Sequence, residues 1–404
     1  MPSAFLHPFT SPRKDEFITI VGGRDAVVFD DQGNEYIDGM ASLWYCNVGH
    51  GRGEIADAIA EQARTLAAYH AFDPFTNVPA EQAAAKIAEL SPFDDARVFF
   101  GSSGSEAVDT AMKFARIAHR EAGHPEKQII ISRERGYHGT NYGGTSIQGI
   151  SPNREGFGSL VPDIINVVAD DDEAMKRAFA EHGDEIAAVI TEPIQGAGGV
   201  WPPPDGYLSH LRDLCDAYGA FLIHDEVITG FGRTGEWFAS QFYDVTPDMI
   251  IFAKGVTSGY VPLSGVIIGT AVRRCLEAND DFILRTGYTF SGHPLACVSA
   301  LKCIEIQERE GLLARAPQIG ARLSTGLDAL RDEGLLVDVR GEGAVWGISV
   351  PEGVDVVATR NALLSMGVII RPIPPNHLTL CPPLVITDGQ VDQIVEAIGT
   401  VLRS

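Results

Sequence analysis

The run "MIIFAKG" (249–255) carries five uncharged, mostly apolar residues into a single lysine, Lys254. A cation at the end of a buried strand is costly unless it is paired or neutral. A lysine held that way can form a Schiff base with an aldehyde. The lead-in through Ile250, Ile251 and Phe252 argues against a lysine that snorkels to the surface. "AFLIHDEV" (220–227) ends a second apolar run on Asp225. That carboxylate can pair with a lysine, bind a metal or cap the next segment. By strand alternation His224 and Glu226 point away from it, so a metal would lack further ligands.

Three more polar features follow apolar runs. After "RVFF" comes "GSSGSEAVDTAMKFAR", with Gly101 and Gly104 for backbone freedom and Ser102, Ser103 and Ser105 for hydroxyls. Free N–H groups at a helix start make this a phosphate seat or a simple cap. No Gly-Lys-Ser/Thr follows, so it is not a P-loop, and Ser105 does not fit a G-x-S-x-G nucleophile elbow. "SRERGYHGTNYGG" offers Tyr137 and His138, an aromatic that can lie on a ring ligand or simply pack. "TEPIQGAGG" sets Glu192 beside flexible backbone, as a site wall or a cap. Taken together, these residues match the needs of pyridoxal phosphate: an amine for its aldehyde, a seat for its phosphate, a carboxylate for its ring nitrogen and an aromatic for its ring.

The elements that must position them alternate. Apolar runs at 96–100, 128–132, 187–193, 220–227 and 248–255 are interleaved with amphipathic stretches, among them 105–120 and 206–219. Buried strands alternating with helices imply an α/β fold with a mainly parallel sheet covered on both faces. Ligands then bind at the carboxyl ends of the strands. Before this region, "ITIVGGRDAVVFDDQGNEYIDGM" reads as short strands divided by G-G and D-Q-G-N turns, after a loop-like opening with prolines at 2, 8 and 12. From about 295 the chain is helix-rich, closing on strands near "VRGEGAVWGISV" and "GVIIRPI" and a helix at "TDGQVDQIVEAIGTVLR". The expected organisation is a large domain over 46–294 and a smaller α+β domain built from 1–45 and 295–404.

The chain has 404 residues, 54 acidic against 31 basic, for a formal net charge of -23. Such a surface repels nucleic acid and anionic lipid, so neither is an expected partner. The six cysteines include no C-x-x-C pair and no zinc spacing, so buried free thiols and no metal are expected. The N-terminus lacks the pattern of a secretory signal, and no apolar run approaches the ~20 residues that span a bilayer. A cytoplasmic setting fits. No repeat is evident.

In combination, "LWYCNVGHG", "GSSGSEAVDTAMKFAR", "GYHG", "TEPIQGAGG", "HDEVITGFGRTG", "FAKGVTSGYVPL", "TFSGHPLAC" and "CPPLVIT" resemble the class III pyridoxal-phosphate-dependent aminotransferases, or omega-transaminases, over nearly the whole chain. The resemblance implies the fold type I architecture of these enzymes. It implies that Lys254 is the Schiff-base lysine and general base, and that Asp225 partners the pyridine nitrogen. Val227 and Tyr137 would pack on the two ring faces. Gly104 and Ser105 would bind the phosphate, Glu192 would sit behind the ring, and Ser103 and His138 would complete the cofactor set. Thr289 would reach the phosphate in a neighbouring subunit, which implies a homodimer with shared active sites; pairing into tetramers stays open.

Relatives that use ornithine or 4-aminobutyrate carry a glutamate just after "PIQG", where this chain has Ala197. Arg371 is similar to the family's carboxylate-binding arginine, and without a fixed acidic partner it could swing in for an acid and out for an apolar amine. Trp44, Tyr45 and Phe72 would give an aromatic pocket. This resembles the branch that passes the amino group of beta-alanine, taurine or arylalkyl amines to pyruvate. The arm ahead of "LWYC" is short, whereas longer arms in relatives help cover the active site. A lyase or aminomutase of the same fold would keep Lys254 and Asp225. A non-catalytic descendant would not need them, and a nicotinamide oxidoreductase would need an early G-x-G-x-x-G that is missing.

Overall fold

The computed structural model describes residues 4–404. Near the N-terminus, β1 (Ile20–Arg24), β2 (Val27–Asp30) and β3 (Glu35–Asp38) form an antiparallel meander. The expected G-G turn lies elsewhere. Gly22 and Gly23 sit inside β1, and the two-residue turn is Asp25-Ala26, with Asp25 at φ +53°. A Cβ on Gly23 would lie 2.8 Å from that of His50, so the glycine serves close packing there.

The central sheet has seven strands: β4 (Arg97–Gly101), β5 (Ile129–Arg133), β6 (Ile164–Val167), β7 (Ile186–Thr191), β8 (Phe221–Asp225), β9 (Met249–Phe252) and β10 (Ser264–Ile268). Their spatial order is β4-β10-β9-β8-β7-β5-β6, with β10 alone antiparallel to its neighbours. The carboxyl ends of β4, β5, β7, β8 and β9 therefore share one edge. Both sheet faces are buried, which is why these strands are near-continuously apolar. On one face the helix Gly104–Glu121 lays Ala107, Ala111, Phe114, Ala115 and Ala118 against Ile223, Ile251 and Val266. Its alanines let the helix sit close, while Phe114 alone contributes roughly 1.5–3 kcal/mol by burial. The opposite face is covered by Asp172–His182 and Tyr207–Tyr218 on one side and by Val78–Leu90 and Pro294–Arg309 on the other.

The chain then forms β11 (Asp338–Glu342), β12 (Val345–Ser349), β13 (Val368–Ile369), β14 (Arg371–Ile373) and β15 (His377–Leu380). β13 pairs parallel with β3 and so ties the two chain ends into one sheet. The others make an antiparallel sheet in the order β11-β12-β15-β14. Among the described residues, no helix is long and apolar enough to cross a membrane.

Candidate active site

At the shared edge of the central sheet lies a cavity of about 130 Å³. Its walls include Gly104 and Ser105 after β4, Tyr137 and His138 after β5, Glu192 after β7, Asp225 and Val227 after β8, and Lys254 after β9. Five separate strand ends thus converge.

Lys254 follows Phe252 and Ala253 directly and takes φ +47°, opening a tight turn through Thr257. This left-handed backbone costs a non-glycine residue roughly 1–2 kcal/mol. It aims the amine into the cavity, where Nζ has no hydrogen-bond or ion-pair partner among the described residues. Burial pushes its pKa down, and Arg371 adds to this; Asp225 and Glu192 pull the other way. A neutral amine is the result that burial favours.

Asp225 is held from both sides. Its Oδ2 lies 2.8 Å from His138 Nδ1, with both side chains almost fully buried, and its Oδ1 accepts from the Val227 N–H at 3.2 Å. The next carboxylate along points the other way, as strand alternation requires. Glu226 is wholly buried and accepts from the Ala239 N–H at 2.5 Å and from the Ser240 N–H at 2.9 Å. His224 faces Ser240 as well, with Nδ1 at 2.8 Å from Oγ. Neither can join Asp225 in holding a metal.

Glu192 accepts from the Tyr137 N–H at 2.8 Å and from the Gly196 N–H at 2.9 Å, so it fixes the loop that carries Tyr137. Burial pushes its pKa up to about 7, against the opposing pull of His138. Arg133, fully buried at the end of β5, donates to the Glu192 carbonyl at 2.8 Å and to Asp170 at 3.0 Å. The sequence reading did not single Arg133 out, although a cation ending the run "QIIISR" is the same signal that marked Lys254.

The residues expected to seat a phosphate open the helix Gly104–Glu121. Ser103 is its N-cap, accepting from the Glu106 N–H at 3.2 Å. Ser105 Oγ accepts from the Thr140 N–H at 2.9 Å and lies 3.5 Å from Thr140 Oγ1, a long contact that an anion can outcompete for the Ser105 proton. A Cβ on Gly104 would stand 3.3 Å from both Val227 methyls. Gly139 has φ +87°, and a Cβ there would fall 2.5 Å from Ser105 Oγ. Gly139→Ala is therefore expected to cost about 1–3 kcal/mol in denaturant unfolding, from left-handed strain alone. It should also weaken the hold of this helix start on an anionic ligand, read as faster loss of that ligand on dialysis, because Ser105 must move. Unchanged stability and retention would contradict this account of the seat.

The remaining expected site residues lie apart from the cavity wall. Arg371, on β14, is half-buried with no carboxylate partner among the described residues. Burial pushes its pKa down, and Tyr137 opposes that. Ala197 is half-buried in the Gly196–Gly199 turn. Trp44, at φ +69°, is buried with Met40, Ile194, Val200 and Ile228, and of this cluster Ile228 reaches the cavity. The Tyr45 ring packs on Gly259. Phe72 is 50% exposed beside Gly287, and Thr289 is also exposed. Val108, Gly139, Ile228 and Ala253 line the cavity without having been singled out in the sequence.

The family model described as Aminotransferase class-III matches residues 9–402. The chain is 36% identical to a diaminobutyrate–2-oxoglutarate transaminase of Halomonas elongata, over 93% of this chain and 88% of that protein. It is 34% identical to a putrescine–pyruvate aminotransferase of Pseudomonas aeruginosa, over 96% and 92% respectively. A crystal structure of an amine transaminase from an uncultivated Pseudomonas species, in its PLP-bound form, is similar with a TM-score of 0.95 at 32% identity. That likeness covers 100% of this chain and 99% of the other.

Proposed function

Because the chain belongs to the class III aminotransferases, fold type I enzymes that use pyridoxal phosphate, we propose that it moves an amino group from an amine or omega-amino acid to pyruvate at the Lys254 cavity. The observation that carries the assignment of the site is Lys254 itself: a cavity-facing amine with no ion pair among the described residues, at the strand end next to Asp225.

The cavity residues fit the cofactor. Lys254 Nζ would hold its aldehyde carbon, Gly104 and Ser105 its phosphate with Ser103 capping the same helix, Asp225 its ring nitrogen, and Val227 and Tyr137 its two faces. When bound, pyridoxal phosphate supplies an electron sink for the substrate carbon that loses its proton. Asp225, fixed by His138 and the Val227 amide, would face the ring nitrogen with its carboxylate already in place, without reorganising. Lys254 Nζ, whose burial disfavours the charged form, takes the proton from the substrate carbon and returns it one position along. Glu192 holds the Tyr137 loop, so the stacking ring stays in register with Lys254.

Substrate choice rests on Arg371 and Ala197. With no glutamate at position 197 to occupy it, the Arg371 guanidinium is free to pair with the carboxylate of pyruvate and to withdraw from an uncharged amine. Phe72, Trp44 and Tyr45 would shape the amine side. The putrescine–pyruvate relative supports pyruvate as acceptor. The Halomonas relative uses 2-oxoglutarate, so both acceptors belong in the assay. Exposed Thr289, with Phe72 and the exposed apolar Phe75, Ile283 and Phe290, suits an apolar interface between two copies that share their active sites. We assign 46–294 to the large cofactor domain and the two chain ends to the smaller one. The six free cysteines suit the reducing cytoplasm.

Arg371→Ala is expected to raise KM for pyruvate about 30-fold or more, as for loss of a charge-assisted pair. It should leave KM for an uncharged arylalkyl amine little changed. Steady-state kinetics with each substrate varied in turn make the comparison. Equal losses on both would sink the role given to Arg371.

A further inference from the structure

Arg340 lies outside the cavity, yet it is among the most heavily used side chains near it. Its side chain is 9% exposed. Nε donates to the Val200 carbonyl at 2.7 Å and Nη2 to the Gly199 carbonyl at 2.6 Å. Nη1 donates to Asp338 at 2.6 Å and Ser349 Oγ at 2.8 Å. The guanidinium carbon stands 3.5 Å from the centre of the Trp201 ring. Trp201 in turn donates its indole N–H to the Gly198 carbonyl at 3.0 Å. These carbonyls belong to the turn that leaves Glu192 and contains Ala197. At this point the C-terminal sheet and the turn meet backbone to backbone: a Cβ on Gly347 would lie 2.5 Å from the Gly199 oxygen.

The strand register connects this anchor to Arg371. Arg340 pairs with Gly347, Gly347 with Thr379, and Thr379 with Arg371. The four residues form one rung across β11, β12, β15 and β14. Directly opposed residues project from the same face of a sheet, so Arg340 and Arg371 leave the same face, three strand spacings or about 14 Å apart. One end of the rung is fixed to the Gly199–Val200 carbonyls. The other end carries the guanidinium assigned to the acid substrate.

We infer that Arg340, stacked on Trp201, is a positioning residue for acid recognition: it sets the place of Arg371 relative to the Glu192–Trp201 loop through this rung. The inference rests on Arg371 being the acid-binding residue. A sheet this well hydrogen-bonded transmits a shift at one end of a rung to the other; of the amine-side residues Trp44 packs with Val200 near the anchored end, while Tyr45 and Phe72 pack on Gly259 and Gly287, away from the rung.

The test is a double-mutant cycle on the holoenzyme, with KM and kcat measured for pyruvate and for an uncharged arylalkyl amine. Arg340→Gln is expected to raise KM for pyruvate about tenfold, within the range of coupling carried by indirect contacts, and to leave the amine KM within about twofold. Combined with Arg371→Ala it should add nothing further to the pyruvate KM. Trp201→Phe, which keeps a ring but loses the indole N–H, is expected to show the same split at smaller amplitude and serves if Arg340→Gln does not fold. If Arg371→Ala itself shows no acid-selective loss, the acid-binding reading fails. If Arg371→Ala is acid-selective but the Arg340 and Trp201 variants hurt both substrates alike, leave both unchanged, or add to it in full, the positioning role is overturned.

Discussion

Lys254→Ala is expected to reduce turnover by about 10⁴-fold or more, at or beyond the upper end of what one positioned proton-transfer group contributes. Two roles are lost together: the covalent hold on the cofactor aldehyde and the base at the substrate carbon. The fold should tolerate the change. Nζ makes no hydrogen bond or ion pair among the described residues, and burial already disfavours its charge. Alanine at φ +47° inherits the backbone strain without adding to it. The expected result is an inactive protein whose unfolding midpoint in denaturant stays near that of the parent chain. Primary amines added to the buffer should restore a small part of the proton transfer. Sustained multiple turnover by the alanine variant without added amine would remove Lys254 from the mechanism.

The second large effect belongs to Asp225. Asp225→Asn keeps the shape and an oxygen for His138 to donate to, but removes the negative charge at the ring-nitrogen position. A fall in kcat on the order of 10²–10³-fold is expected, the size seen when one preorganised electrostatic partner is lost. Asp225→Ala should fall at least as far and also lose stability by about 1–3 kcal/mol, because His138 Nδ1 is left buried without its partner. The pair of variants separates charge from packing. If asparagine keeps the parental kcat, the carboxylate is there to anchor His138 and has no electrostatic part in the chemistry.

How far the sequence disclosed all this depends on the range of the signal. Lys254 and Asp225 were legible because a charge at the end of an apolar run contradicts its surroundings, and one strand is enough to see it. The capped start of the helix Gly104–Glu121 was legible because glycines and hydroxyls before an alanine-rich stretch describe a local cap. Alternation along β8 correctly separated Asp225 from His224 and Glu226. Failures came where distant pieces meet. The G-G pair looked like a turn, but β1 needs a small residue opposite His50 at Gly23. That Ile228 stands between Trp44 and the cavity was likewise out of reach, because Ala41, Ser42 and Trp44 all take positive φ, which composition does not reveal. The short strands β6 and β10 were not anticipated: β6 (IINV) carries an asparagine and β10 (SGVII) opens on Ser-Gly, so neither stands out as an apolar run. The Arg340–Arg371 rung joins strands whose register no local pattern specifies.

The most direct test of amino transfer is the visible absorbance of the purified holoenzyme, first with excess arylalkyl amine and then with pyruvate after the amine is removed. The cofactor band should bleach with the amine and return with pyruvate, one equivalent of each per site. A band that the amine leaves untouched, or that bleaches and does not return with pyruvate or 2-oxoglutarate, would contradict the proposed function.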